Sequence, residues 1–189
     1  MRLVLATRNA HKLGEFERLL PAAELEPLPE GIDLPPEDGD TYAANALIKA
    51  RAAAAATGRA AIADDSGIEA EALGGAPGVR TARYAGPHAT DAENLAKLAA
   101  EAPVGSRLRY VCVIAHVDAD GAERTFEGTT DGRVAGEPRG VGGFGYDPLF
   151  VADDGPADGR TMAELSDAEK DAISHRGRAA RALAEWLAR

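Results

Sequence analysis

Apolar positions follow two rhythms along this chain. Leu3-Val4-Leu5-Ala6 is an unbroken apolar run and reads as a buried strand over 3–6. Leu13, Phe16, Leu19 and Leu20 then recur at helical spacing, which predicts a helix over 10–20 capped by Asn9 and stopped by Pro21. Residues 21–40, rich in Pro, Glu, Asp and Gly, read as a loop holding one short strand at most. Thr41 opens an alanine-filled helix through 55, with Leu47 and Ile48 inward and Gly58 as its stop. Asn45 and Lys49 are four apart and share one face of it. The small, apolar residues after Gly58 predict a short buried strand over 60–67 that ends at Asp64-Asp65.

The second half is more punctuated. Residues 67–86 form a long glycine-laden connection, a length that in compact domains often marks function. Thr90-Asp91-Ala92-Glu93 is a capping box opening a helix to 102. Strands over 107–117 and 124–129 meet at the turn Asp118-Ala119-Asp120-Gly121. His116, near the end of the first, reads as structural. Glycines cluster again over 139–150, followed by a capping box at Ser166-Asp167-Ala168-Glu169. There Ser174-His175-Arg176-Gly177 interrupts a helical pattern that resumes over 179–187, a break expected to present His175 and Arg176 to a ligand.

With 189 residues the chain is expected to form one domain, 1–189, built as two lobes. A formal charge of −10 argues against a nucleic-acid polymer or an anionic membrane as partner, since either needs a basic face. It leaves room for a small phosphorylated ligand that brings its own cation. The single cysteine, Cys112, sits inside an apolar run, so no intrachain disulfide forms and a cytoplasmic location is expected. The apolar run at 3–6 is too short for a signal peptide, and no apolar stretch reaches membrane-spanning length.

The candidate chemistry starts at Asp64-Asp65. Carboxylates at the end of a buried strand carry a desolvation cost, so they commonly serve a metal, a base role or a helix N-terminus. Asp-Ser-Gly is also ordinary turn chemistry, and alone it reads equally as a solvated turn. Lys12 is poorly placed for the dipole of the first helix unless a polyphosphate docks beside it. In Gly142-Gly143-Phe144-Gly145-Tyr146-Asp147, glycines admit a close ligand and aromatics offer a stacking face for a base, although neither GxGxxG nor a Walker A motif is present. These clusters together point to a magnesium-dependent enzyme acting on a nucleoside triphosphate.

Thr7-Arg8-Asn9-Ala10-His11-Lys12, Asp64-Asp65-Ser66-Gly67, Ala82-Arg83-Tyr84-Ala85-Gly86, Gly142 to Pro148 and Ser174-His175-Arg176-Gly177 resemble, in order and spacing, the signatures of the inosine/xanthosine triphosphate pyrophosphatases (Ham1-like proteins). The resemblance implies an α/β fold with a mixed, twisted sheet flanked by helices, elongated and two-lobed with a cleft between lobes, and a homodimer. It implies hydrolysis of ITP, dITP and XTP to the monophosphate and pyrophosphate with Mg²⁺. By the same resemblance Thr7, Arg8, Asn9, Ala10, His11, Lys12 and Lys170 bind the triphosphate, and Ser66 touches substrate. Phe144, Gly145, Tyr146, Asp147, His175 and Arg176 form the base pocket. Asp65 is the general base, assisted by Lys12, and Asp65, Asp64 and Glu37 carry the metal, with Pro36 in place of the family's first glutamate. Crowding by Asp64 is expected to raise the Asp65 pKa. The rival readings are a related pyrophosphatase for modified pyrimidine or methylated nucleotides, and a nucleotide-binding module without turnover.

Overall fold

The computed structural model describes residues 1–189. Its strands are β1 (Arg2–Leu5), β2 (Glu24–Pro27), β3 (Ala61–Ala70), β4 (Arg107–Val117), β5 (Glu123–Val134) and β6 (Phe150–Ala152). Its helices are α1 (Ala10–Leu19), α2 (Tyr42–Thr57), α3 (Asp91–Glu101), α4 (Asp167–Ile173) and α5 (His175–Leu187). The strands form one six-stranded sheet in the order β2-β1-β3-β4-β5-β6. β1 runs parallel to both β2 and β3, and β6 runs antiparallel to β5, so the sheet is mixed and the fold is α/β. No helix is long and apolar enough to cross a membrane.

The chain divides into two compact units: Met1–Asp65 with Cys112–Gly128 and Arg178–Arg189, and Ser66–Val111 with Thr129–Gly177. In the first unit the strands are apolar on both faces, and alternate residues go to different cores. Leu3, Leu5, Ile62, Cys112 and Ile114 pack with Phe16 and Leu20 of the α1 segment and with Ala179, Ala180 and Leu183 of α5. Val4, Ala6, Ala61, Ala63, Ala115 and Val117 pack with Ala46, Ala50, Ala53 and Ala54 of α2. The period of two in a strand dictates this sorting, and continuous apolar runs are what a sheet covered on both sides requires. Alanine on the inner face of α2 lets that helix lie close to the strands. Gly58 ends it in the left-handed conformation at φ 66°.

The second unit has its own core, with Ile68, Leu98, Leu108, Tyr110, Tyr146, Leu149, Phe150 and Met162 among its members. The capping boxes expected at Thr90/Glu93 and Ser166/Glu169 are both formed, and a further one, Thr161/Glu164, opens a short 3-10 turn.

Three sequence expectations are corrected. β3 does not end at the aspartates but runs on to Ala70, because Ser66-Gly67-Ile68 pair into the sheet instead of turning. Residues 67–86 are accordingly the end of a strand followed by 3-10 turns over Glu71–Leu73 and Gly78–Arg83. The break near His175 is a single residue. Ser174, at φ −66° and ψ 151°, closes α4, and its Oγ accepts the Gly177 N–H at 3.0 Å, so α5 already begins at His175.

Candidate functional site

In the first unit the polar cluster is assembled by β3, α1 and α2. Asp64 and Asp65 are successive residues of one strand, so their side chains leave opposite faces of the sheet. Asp64 shares the face of Ile62, where Lys12 Nζ lies 3.0 Å from its Oδ2 and Cys112 Sγ approaches the same oxygen at 3.9 Å. Asp65 shares the face of Ala63, where Nδ2 of Asn45 donates to its Oδ2 at 2.9 Å. Asp64 and Asp65 are only 1% and 6% exposed, which is costly for carboxylates unless each has a partner of this kind.

Lys49 ties α2 to the backbone of β3. It is buried on α2, donates to the main-chain carbonyl of Asp64 at 2.6 Å and pairs with Glu37. Burial pulls its pKa down, but the charges of Asp64, Glu37 and Asp65 outweigh that and hold it above the ordinary lysine value. Asp65 titrates above the usual carboxylate range, chiefly through burial, with Glu37 adding to the rise; Asn45, Lys49 and Lys12 oppose it. Burial, rather than the expected crowding by Asp64, is the first cause of the rise, since a strand sends neighbouring side chains apart. Glu37, Asp64 and Asp65 do not converge into a closed cage, and no three acidic, histidine or cysteine side chains in the chain do. A hard cation that retains waters and takes further oxygens from a triphosphate needs only one or two carboxylates, so the donor set fits Mg²⁺ bound together with substrate.

The turn before α1 is arranged by its own side chains. Asn9 Oδ1 accepts the N–H groups of His11 and Lys12 at 2.9 and 3.3 Å, and Thr7 Oγ1 accepts that of Asn9 at 3.2 Å. Ala10 and His11 are exposed in the first turn. Arg8 is committed elsewhere: its guanidinium donates to the carbonyls of Leu28, Pro29 and Ile32 and fastens that loop.

The second unit holds a separate polar group around Asp147. Its Oδ2 receives Lys170 Nζ at 2.7 Å and the Phe144 N–H at 3.0 Å, while its Oδ1 receives the Tyr110 hydroxyl at 3.1 Å. A Cβ on Gly143 would stand 2.0 Å from that carboxylate, and its φ is +66°, so glycine is required at this turn. Lys170 Nζ and the Arg176 guanidinium lie 5.3 and 5.6 Å from the centre of the Phe144 ring. Arg176 is buried and donates to Ser66 Oγ at 2.9 Å, and His175 stacks on Tyr110. Gly145 N–H donates to Asp91, and the Tyr146 hydroxyl donates to the Thr81 carbonyl at 2.8 Å, so Tyr146 is anchored inside the unit.

Asn45, Lys49 and Tyr110 carry these arrangements and were assigned no role from sequence. The i, i+4 spacing of Asn45 and Lys49 was the available signal; for Tyr110, inside an apolar strand, there was none.

The fold and the site define a mixed α/β protein in which two buried aspartates of β3 are met by Lys12 of α1 and by Asn45 and Lys49 of α2. Residues 3–186 match the model of the Ham1 family. The chain belongs to that family. It is 53% identical over 183 residues to a dITP/XTP pyrophosphatase of Symbiobacterium thermophilum, covering 94% of this chain and 90% of the relative. It is 49% identical over 192 residues to one of Cutibacterium acnes, covering 96% and 94%. The solved structure of a HAM1 protein from Coxiella burnetii superposes with a TM-score of 0.87 at 43% identity, covering 100% of this chain and 98% of that one.

Proposed function

We propose that this protein hydrolyses the non-canonical purine nucleoside triphosphates dITP, ITP and XTP to the monophosphate and pyrophosphate, clearing them from the nucleotide pool as a cytoplasmic homodimer. The observation that carries the reading is Asp65: a buried carboxylate held by Asn45 and titrating above its usual range, as a general base requires. The relatives named as dITP/XTP pyrophosphatases supply the substrate class.

Asp65 accepts a proton from a water whose oxygen attacks the α-phosphorus. The bond from that phosphorus to the bridging oxygen breaks, and pyrophosphate leaves with the electron pair. Lys12 and Lys49 offset the charge that collects on the departing oxygens, a contribution that grows as water is excluded. Asn45 keeps the Asp65 carboxylate oriented. Asp65 and Glu37 would hold Mg²⁺ together with substrate oxygens, and the ion would neutralise part of the triphosphate charge; Asp64, on the opposite face of β3, is left to Lys12. Thr7 and Asn9 shape the turn that takes the distal phosphates. Phe144, His175 and Arg176 recognise the base end, joined by Lys170: the resemblance gave that lysine to the triphosphate, but it is bonded to Asp147 and lies over Phe144, which supports a base-end role instead. The ring offers a stacking face, and the cations favour the carbonyl that hypoxanthine and xanthine carry where adenine has an amino group. An unmatched donor facing a donor costs on the order of 10² in kcat/KM.

The test is kcat/KM for ITP, dITP, XTP, ATP and GTP, with the phosphorus product identified by ³¹P NMR. The expected result is preference for the first three and pyrophosphate as the primary product. ATP within about tenfold of ITP, or orthophosphate released first, would overturn the reading.

A further inference from the structure

We infer that Tyr110 is a positioning residue that sets base recognition from behind, acting through His175 and Asp147 without touching substrate. The inference rests on the pyrophosphatase reading above. Tyr110 is 6% exposed, on β4, with its ring stacked on the His175 imidazole at 4.5 Å between centroids and only 7° between planes. Phe150 closes against the Tyr110 ring as well, at 4.5 Å and 32°. A histidine at the first position of α5 has no earlier turn of its own helix to limit its rotamer, and the parallel stack on Tyr110 restrains the imidazole plane.

The hydroxyl of the same residue does a second task. It donates to Oδ1 of Asp147, which leaves Oδ2 for Lys170 Nζ and the Phe144 N–H. A carboxylate held at both oxygens keeps one rotamer, and Lys170 and the Phe144 turn keep theirs with it. One buried side chain therefore fixes three groups assigned to the base end: His175, Lys170 and Phe144. The cluster is nearly dry, so a missing hydroxyl is replaced poorly by water; side chains of Lys170 and Asp147 are 6% and 4% exposed.

Two variants separate the functions. Tyr110→Leu removes both the stack and the hydroxyl; Tyr110→Phe keeps the stack. With ITP, Tyr110→Leu is expected to raise KM about tenfold or more with kcat within a few-fold, and to shrink the ITP-over-ATP preference by a similar factor. Tyr110→Phe is expected to recover part of that loss. Inhibition by tripolyphosphate, which has no base, should be unchanged in both, a readout that general loosening of the fold would not spare. In the NMR spectrum the His175 ring protons should lose the ring-current shift of Tyr110 in the Leu variant and retain it in the Phe variant. A folded Tyr110→Leu protein with wild-type KM and preference, or one that weakens tripolyphosphate equally, overturns the assignment. Equal behaviour of the Phe and Leu variants overturns the role of the stack. Absence of ITP and XTP turnover in the wild-type protein would instead overturn the pyrophosphatase reading and this assignment with it.

Discussion

Lys49 Nζ donates to the main-chain carbonyl of Asp64 at 2.6 Å while pairing with the carboxylate of Glu37, so a helix lysine clamps β3 and the loop before the helix at once. Its charge also lowers the pKa of Asp65 against the upward push of burial. Removing it acts on both geometry and protonation.

Lys49→Met should therefore displace the pH–rate profile. A base works only when ionised, so activity falls as pH falls through the Asp65 pKa. That pKa already lies above the ordinary carboxylate value, and losing the lysine charge moves it further up. The acid limb of kcat/KM is expected at higher pH in the variant, with kcat at neutral pH down on the order of 10². An acid limb at the wild-type pH would contradict the coupling.

Asp65→Asn should abolish turnover while leaving nucleotide binding within a few-fold. The loss of a general base costs on the order of 10²–10⁴ in rate, and the amide still accepts from Asn45. Single-turnover hydrolysis and calorimetric binding of ITP check this pair of outcomes. A variant retaining a tenth of the wild-type kcat would remove Asp65 from its role.

Lys12→Ala is expected to weaken ITP by roughly 1.5–3 kcal/mol and to leave IMP nearly untouched, as a charge-assisted contact to the distal phosphates would. It also strips the cation from Asp64, which is 1% exposed, so the thermal midpoint should fall. Adding Asp64→Asn should restore the midpoint without restoring ITP affinity. Comparable losses for ITP and IMP would separate Lys12 from the phosphate end.

Glu169 provides a stability test away from the chemistry. Arg160 first, then the Ser166 N–H and hydroxyl, hold its pKa down to about 2 from an ordinary 4.5. Because the folded value is depressed, the stability it contributes is present above about pH 4.5 and disappears as pH falls through about 2. Glu169→Gln keeps the capping box and removes the charge. Its thermal midpoint should lie below that of the wild type at neutral pH and converge with it toward pH 2. Parallel midpoints across that range would mean that the ion pair and cap are not coupled to folding.

Much of the local structure was legible in the sequence. Asn9, Thr41, Thr90 and Ser166 announced the helix starts because a capping side chain bonds to backbone within three residues of itself. The apolar runs at Leu3 to Ala6 and around Cys112 announced strands covered on both faces, since that demand is also local. The family motifs named Lys12, Glu37 and Lys170 around Asp65 and Asp147, but not Asn45, Lys49 or Tyr110.

What sequence could not decide lies in contacts between residues far apart in the chain. Asp64-Asp65-Ser66-Gly67 reads as a turn until neighbouring strands pair with it, and pairing is what extends β3 to Ala70. That extension sends the two aspartates to opposite faces, making burial, not mutual repulsion, the main cause of the raised Asp65 pKa. Arg8 was a phosphate candidate by position and is a loop fastener by geometry, because three carbonyls of the segment 28–32 stand within its reach. Tyr110 looked like another apolar strand residue, and only packing reveals a hydroxyl on Asp147 and a ring on His175. Backbone preference and hydrophobic period act over a few residues; the direction and partner of a polar side chain follow from the fold as a whole.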